Sequence, residues 1–119
     1  MSVRRLSAAL AAAAVVLGAG ASSVLASESQ TQKTTVKVAA SEFKFVLSTK
    51  TAHAGPVVFL VTNKGKLAHD FKIAGKKTPL LKPGKTATLF VTLKKGLYPY
   101  KCTVAGHAAA GMRGTFKAT

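Results

Sequence analysis

Only three acidic residues, Glu28, Glu42 and Asp70, stand among the 119 residues of this chain. That scarcity removes most general acid–base enzymology, including hydrolysis by paired carboxylates. It also disfavours magnesium, calcium and manganese, which want oxygen ligands. A Cys/His thiol hydrolase is left without a carboxylate placed like a triad member. Tryptophan is absent, and Cys102 is the single cysteine. No disulfide can form within the chain, so Cys102 is a buried small hydrophobe, an intermolecular bridge, a reactive thiol or a metal ligand.

What is present begins with a leader. "MSVRRLSAALAAAAVVLGAGASSVLAS" places two arginines before an apolar run and small residues before Ser27. That is the layout of a secretory signal peptide, with cleavage expected after Ala26. The run from Leu6 to Leu25 is nearly long enough to cross a bilayer, which needs roughly 20 apolar residues. Its alanines, glycines and serines make it weakly hydrophobic and favour cleavage over an uncleaved anchor. The residues after the arginines fit a twin-arginine motif poorly, so an ordinary positive leader is the preferred reading. No cysteine lies near the cut to carry a lipid. The expected organisation is a signal peptide over 1–26, a flexible lead over 27–33 and one domain over 34–119. The mature protein is thus expected in the periplasm or cell envelope, or outside the cell. There an exposed free thiol is a liability, which favours burial of Cys102 or a metal.

Basic residues number 18, and Arg4 and Arg5 leave with the leader. The mature chain keeps 16 against 3 acids, a net charge of +13. Such a field speeds encounter with anionic partners. The lysines are scattered through strands and turns, with no helical basic stripe or nucleic-acid motif. An acidic protein is therefore the expected partner, with an anionic membrane surface as a second option and nucleic acid excluded.

The domain reads as strands. "TTVKVAA", "FKFVL", "GPVVFLVTN", "AHDFKI", the run from Thr86 to Leu93 and "LYPYKC" alternate or cluster β-formers between Gly, Pro, Asn and Lys turns. No segment after the leader shows a helical period. Seven or eight short strands in about 90 residues predict an all-β Greek-key sandwich or barrel. The expected core is Val36, Val38, Phe43, Phe45, Val58, Leu60, Phe71, Ile73, Leu89, Val91, Tyr98, Tyr100 and Phe116.

The chemistry gathers near the C-terminus. "CTVAGHAAAGM" spaces Cys102, His107 and Met112 as Cys-x4-His-x4-Met. Each alone has a bland reading: a core cysteine, a loop histidine, a core methionine. Together they offer thiolate, imidazole and thioether in one strand–loop–strand unit. A trigonal His2Cys set with a weak axial Met is a blue-copper ligand set. Structural zinc takes no thioether. The second histidine must come from elsewhere. His69, after a turn at the head of a strand, is the better candidate. His53, in "KTAHAGP", reads as a surface loop histidine. Gly106 and Gly111 precede two of the candidate ligands and allow the bends that such a loop needs.

"NKGKLAHDFKI", "PGKTATLFVTLKKGLYPYKC" and "CTVAGHAAAGMRGTF" together resemble the cupredoxins, the small blue-copper proteins of the plastocyanin and azurin type. The resemblance covers about residues 34–119. It implies an eight-stranded Greek-key sandwich, one copper ion held by His69, Cys102, His107 and Met112, and one-electron transfer without substrate turnover. A monomer suits such a shuttle. The Cys-to-His interval is closer to azurin-like and auracyanin-like loops than to plastocyanin. Asp70 stands where the best-known members carry Asn; it either ties the two ligand segments together through Thr103 or is a solvated carboxylate at a strand end. The resemblance also implies that His107 is the exposed edge, beside the small apolar patch of "AAAG". A copper carrier or storage protein with the same ligands is the alternative, although the chain has no Met or His run for capture. A metal-free binding module using the basic surface is a third.

Overall fold

The computed structural model describes residues 33–119. The signal peptide, its cleavage and nearly all of the expected lead lie outside the described residues. Nine strands form: β1 (Thr34–Ser41), β2 (Lys44–Leu47), β3 (Thr51–Ala52), β4 (Gly55–Asn63), β5 (Lys72–Ile73), β6 (Lys76–Lys77), β7 (Thr86–Leu93), β8 (Gly96–Lys101) and β9 (Arg113–Ala118). One sheet has the order β2-β1-β4-β7 and the other β3-β9-β8-β5-β6. The chain crosses between them repeatedly, so neighbours within a sheet are mostly distant in sequence. This is the expected all-β sandwich. The expected strand over Thr86–Leu93 forms over those residues. "AHDFKI" is extended by only two residues, plus an isolated bridge between His69 and Leu81. Among the described residues the one helical element is a single turn, α1 (His107–Ala110).

Aromatic side chains close the sandwich. Phe59 of β4 meets Phe71 and Phe116 with ring centroids 5.3 and 5.2 Å apart, and Phe45 of β2 meets Tyr100 of β8 at 5.9 Å. Phe59, Phe71 and Phe116 are wholly buried. Such rings supply the largest apolar burial per residue, so this trio dominates the cohesion of the two sheets.

The expected core needs correction in two places. In β4 the residues facing inward are Val57, Phe59 and Val61, while Leu60 is only partly buried and Val58, buried as expected, lies on the other face. The run is apolar on both faces, so alternation alone cannot set its phase. Pairing sets it: Val57 lies opposite Val91 and Phe59 opposite Leu89, both inward residues of β7. Phe43 is exposed and Tyr98 half-buried. Phe43 belongs to the β1–β2 turn and packs beside a loop rather than between the sheets.

Candidate metal centre

At the end of β4 the chain must turn and deliver His69. Asn63, fully buried, organises that turn. Its amide NH2 donates to the carbonyls of Leu67 and Leu81, each at 2.8 Å, and its Oδ1 accepts from the Gly65 N–H at 2.8 Å. Glu42, from the β1–β2 turn, accepts from the N–H groups of Lys66 at 2.9 Å and Leu67 at 3.1 Å. This approach needs Gly65, where a Cβ would stand 2.2 Å from Glu42 Oε2. His69 then exchanges two backbone bonds with Leu81, at 3.1 and 2.7 Å, and its side chain is completely buried.

The second segment runs from β8 to β9. The Cys102 N–H donates to the Met112 carbonyl at 3.1 Å, and the Met112 N–H donates to the His107 carbonyl at 3.1 Å. The three candidate residues are therefore linked through their backbones before any metal is considered. Gly106 and Gly111, with φ of 81° and 133°, bracket α1 in conformations that side chains disfavour. Phe43 sets its ring edge-on to His107, with centroids 5.1 Å apart.

These two segments bring three donor atoms together. His69 Nδ1 lies 3.1 Å from His107 Nδ1, and Cys102 Sγ lies 3.7 Å from His107 Nδ1. The ligand atoms of His69, Cys102 and His107 all fall within 4.8 Å of one another. Cys102 and His69 are buried, while His107 is half-buried. Met112 is wholly buried at the end of the same loop. His53 is exposed, bonded to the Thr119 hydroxyl at 3.4 Å, and takes no part.

Electrostatics fix how the imidazoles face. Glu42 Oε2 lies 2.5 Å from His69 Nε2. The N–H groups of Lys66, then His69 and then Leu67, hold the Glu42 carboxyl well below its usual value, at about 2. An ionised carboxylate only accepts, so Nε2 of His69 donates to it, and the other ring nitrogen, Nδ1, faces His107 and Cys102. As a metal ligand that Nδ1 would present its lone pair. Burial pushes the Cys102 thiol above its usual value, so a metal would have to displace its proton. Two imidazole nitrogens and a sulfur converging in a buried place suit a borderline-soft metal, and the residues present fit copper.

Asp70 takes the first of its two readings. Its Oδ1 accepts from the Thr103 N–H at 2.6 Å, and its Oδ2 accepts from the Thr103 hydroxyl. The residue after His69 is thereby tied to the residue after Cys102. Glu42 and Asn63 were not foreseen as parts of the site. The signal for Glu42 was its rarity, since a strongly basic chain with three carboxylates has few to leave idle.

With this geometry in place the chain can be compared with known proteins. The family model of the cupredoxin-like domain matches residues 7–115. The chain belongs to the cupredoxin-like family. No curated protein matches it by sequence. Among solved structures it is similar to reduced auracyanin from Roseiflexus castenholzii, with 20% identity and a TM-score of 0.64, covering 72% of this chain and 97% of the other. Auracyanin A from Chloroflexus aurantiacus, described as a "blue" copper protein, gives 17% and 0.61, covering 74% and 100%. Copper nitrite reductase from Nitrosomonas europaea gives 19% and 0.59, covering 73% of this chain but only 41% of the other. At these identities the likeness establishes the shared sandwich. The cupredoxin-like fold thus serves both small blue proteins and part of a larger enzyme.

Proposed function

We propose that this cupredoxin-like chain is an exported electron carrier that holds one copper ion through His69, Cys102, His107 and Met112. The observation that carries the reading is the convergence of two imidazole Nδ1 atoms and one buried thiol, with Glu42 accepting from Nε2 of the deeper imidazole. Membership of the cupredoxin-like family and the likeness to a blue copper protein support it. Copper, when bound, would supply a one-electron couple.

The chain's own contribution is rigidity. His69 is held by Leu81 and Glu42, and Cys102 by Met112. Asp70 and Thr103 clamp the two segments to each other. A donor set held this firmly cannot rearrange much between oxidation states, so the reorganisation cost of transfer stays low. Met112, wholly buried at the end of the same loop, would add a thioether to the donor set and help tune the potential. His107, half-buried where His69 is not, offers the edge through which an electron would pass. Lysines around the surface would steer acidic redox partners, and the shuttle would act as a monomer.

The test is Cu(II) titration of the protein with visible absorption and voltammetry. The expected result is an intense thiolate-to-copper band saturating at one equivalent, with a reversible couple. A colourless Cu(II) complex would sink the proposal. A coloured complex without a reversible couple, and with fast metal exchange, would point instead to a copper carrier.

A further inference from the structure

The outer face of the β3-β9-β8-β5-β6 sheet carries a row of cations that the copper site does not explain. Lys77 of β6 lies directly opposite Lys72 of β5, Lys72 opposite Lys101 of β8, and Lys101 opposite Arg113 of β9. All four are exposed, and their chain neighbours Ile73, Tyr100, Cys102 and Met112 point inward. Four adjacent strands thus present one positive charge each along one line. With strands ~4.8 Å apart the row spans about 14 Å.

Like charges directly opposite each other on a sheet are destabilising. Among the described residues no ion pair offsets them. The side-chain carboxylates there are Glu42 and Asp70, and both are bonded elsewhere, to the His69 segment and to Thr103. Lys72, Lys101 and Arg113 line a groove of about 870 Å³ together with Pro99, Thr115 and Ala108 of α1. The row is also next to the candidate centre along the chain: Lys101 precedes Cys102, and Arg113 follows Met112.

We infer that this row is the docking site for an acidic segment of the redox partner, a reading that rests on the electron-transfer role. A groove receives a chain segment more fully than it does a flat bilayer. The row is about as long as four residues of extended chain, at ~3.4 Å per residue. Carboxylates on such a segment would replace mutual repulsion with alternating pairs. They would also set the partner one residue away from two of the proposed ligands. The repulsion within the row is the stability cost of keeping this site.

The experiment measures fluorescence anisotropy of labelled octaglutamate with the copper-loaded protein at low salt. The variant Lys72→Glu/Lys101→Glu/Arg113→Glu is compared with Lys37→Glu/Lys44→Glu/Lys85→Glu, whose net charge is the same and whose exposed side chains belong to β1, β2 and the turn before β7. The first should lose affinity about tenfold or more relative to the second, the scale expected of three exposed ion pairs. Equal losses would mean that only the overall charge matters and would overturn the proposal. The neutral set Lys72→Gln/Lys101→Gln/Arg113→Gln should bind octaglutamate weakly yet raise Tm, because the repulsion is gone; an unchanged or lower Tm contradicts the cost argued above. Phosphatidylglycerol vesicles and duplex DNA serve as alternative probes, and row-dependent binding of either without octaglutamate binding would also overturn it. The visible copper band is read separately. Its absence in the unaltered protein sinks the copper reading, whereas its persistence with equal binding losses sinks the docking site alone.

Discussion

Strand β4 runs between two histidines in contrasting surroundings. Before its start, His53 is exposed and meets the Thr119 hydroxyl at 3.4 Å. Beyond its far end, His69 is fully buried, paired with Leu81 through the backbone and held by Glu42 through Nε2. Both follow or precede the same strand, and both lie near turns. The difference is the number of groups that hold the ring. Asn63, Glu42 and Leu81 aim His69 at two other donor side chains, whereas among the described residues His53 meets only the Thr119 hydroxyl.

The sharpest break in that comparison is chemical. Cys102→Ser removes the thiolate, which oxygen replaces poorly as a ligand for copper. The expected outcome is complete loss of the visible band on Cu(II) titration. His53→Ala should leave band, stoichiometry and potential unchanged. A loss of colour in His53→Ala would mean that the two ends of β4 are not distinct.

Asn63→Ala tests the support of the deeper end. It strips donors from the Leu67 and Leu81 carbonyls and an acceptor from Gly65 N–H. The Leu81 carbonyl keeps its bond from the His69 N–H, so the loss falls on the part-buried Leu67 carbonyl and Gly65 N–H; removing one partner of such bonds costs about 1–3 kcal/mol. Chemical denaturation of the metal-free protein should show a loss in that range. At the other end, Thr49→Ala removes two exposed local bonds with Thr51 and should stay within about 0.5 kcal/mol. Equal losses would show that the buried turn is no better specified than the exposed one.

Much of this contrast was legible before any coordinates. Alternation predicted β1, β2, β7 and β8, and the Cys-x4-His-x4-Met spacing with an upstream histidine picked out the three donors that converge. Other parts were hidden for identifiable reasons. The inward face of β4 was misassigned because Val57 to Val61 is apolar on both sides, and only pairing with β7 decides between them. Phe43 was placed in the core because an aromatic in an alternating run usually faces inward; here it caps His107 from a turn. Glu42 is 27 residues from His69, and only the parallel pairing of β1 with β4 brings its turn beside the His69 segment. No local pattern encodes such a contact.

Glu42→Gln separates aiming from mere proximity. Glutamine keeps one oxygen for the His69 and Leu67 N–H groups but brings an NH2 group against the Lys66 N–H. Outer-shell partners of metal-bound histidines are commonly worth 10–100-fold in affinity. Copper competition against a chelator should therefore show a loss of about tenfold, the mild end of that range, because one acceptor survives. The visible band should shift but persist. Unchanged affinity would reduce Glu42 to a clasp on the 64–67 turn.

The smallest effect is one of pH, and its sign follows from the same carboxylate. The folded state holds Glu42 at about 2, against 4.5 for an unperturbed glutamate, chiefly through the Lys66 N–H and then through His69. A carboxyl lowered in the folded state contributes stability that is present in full above its unfolded value. That contribution fades as pH falls through 4.5 toward 2. In the metal-free protein, the stability gap between the parent chain and Glu42→Gln should therefore narrow steadily below about pH 5. Both chains share Glu28, Asp70 and Cys102, so the difference reads Glu42 together with its partner His69. Urea midpoints measured across this range would read it directly. A gap that stayed constant down to the acid end would show that the N–H groups of the 66–67 turn do not hold the charge, and that His69 is aimed by packing alone.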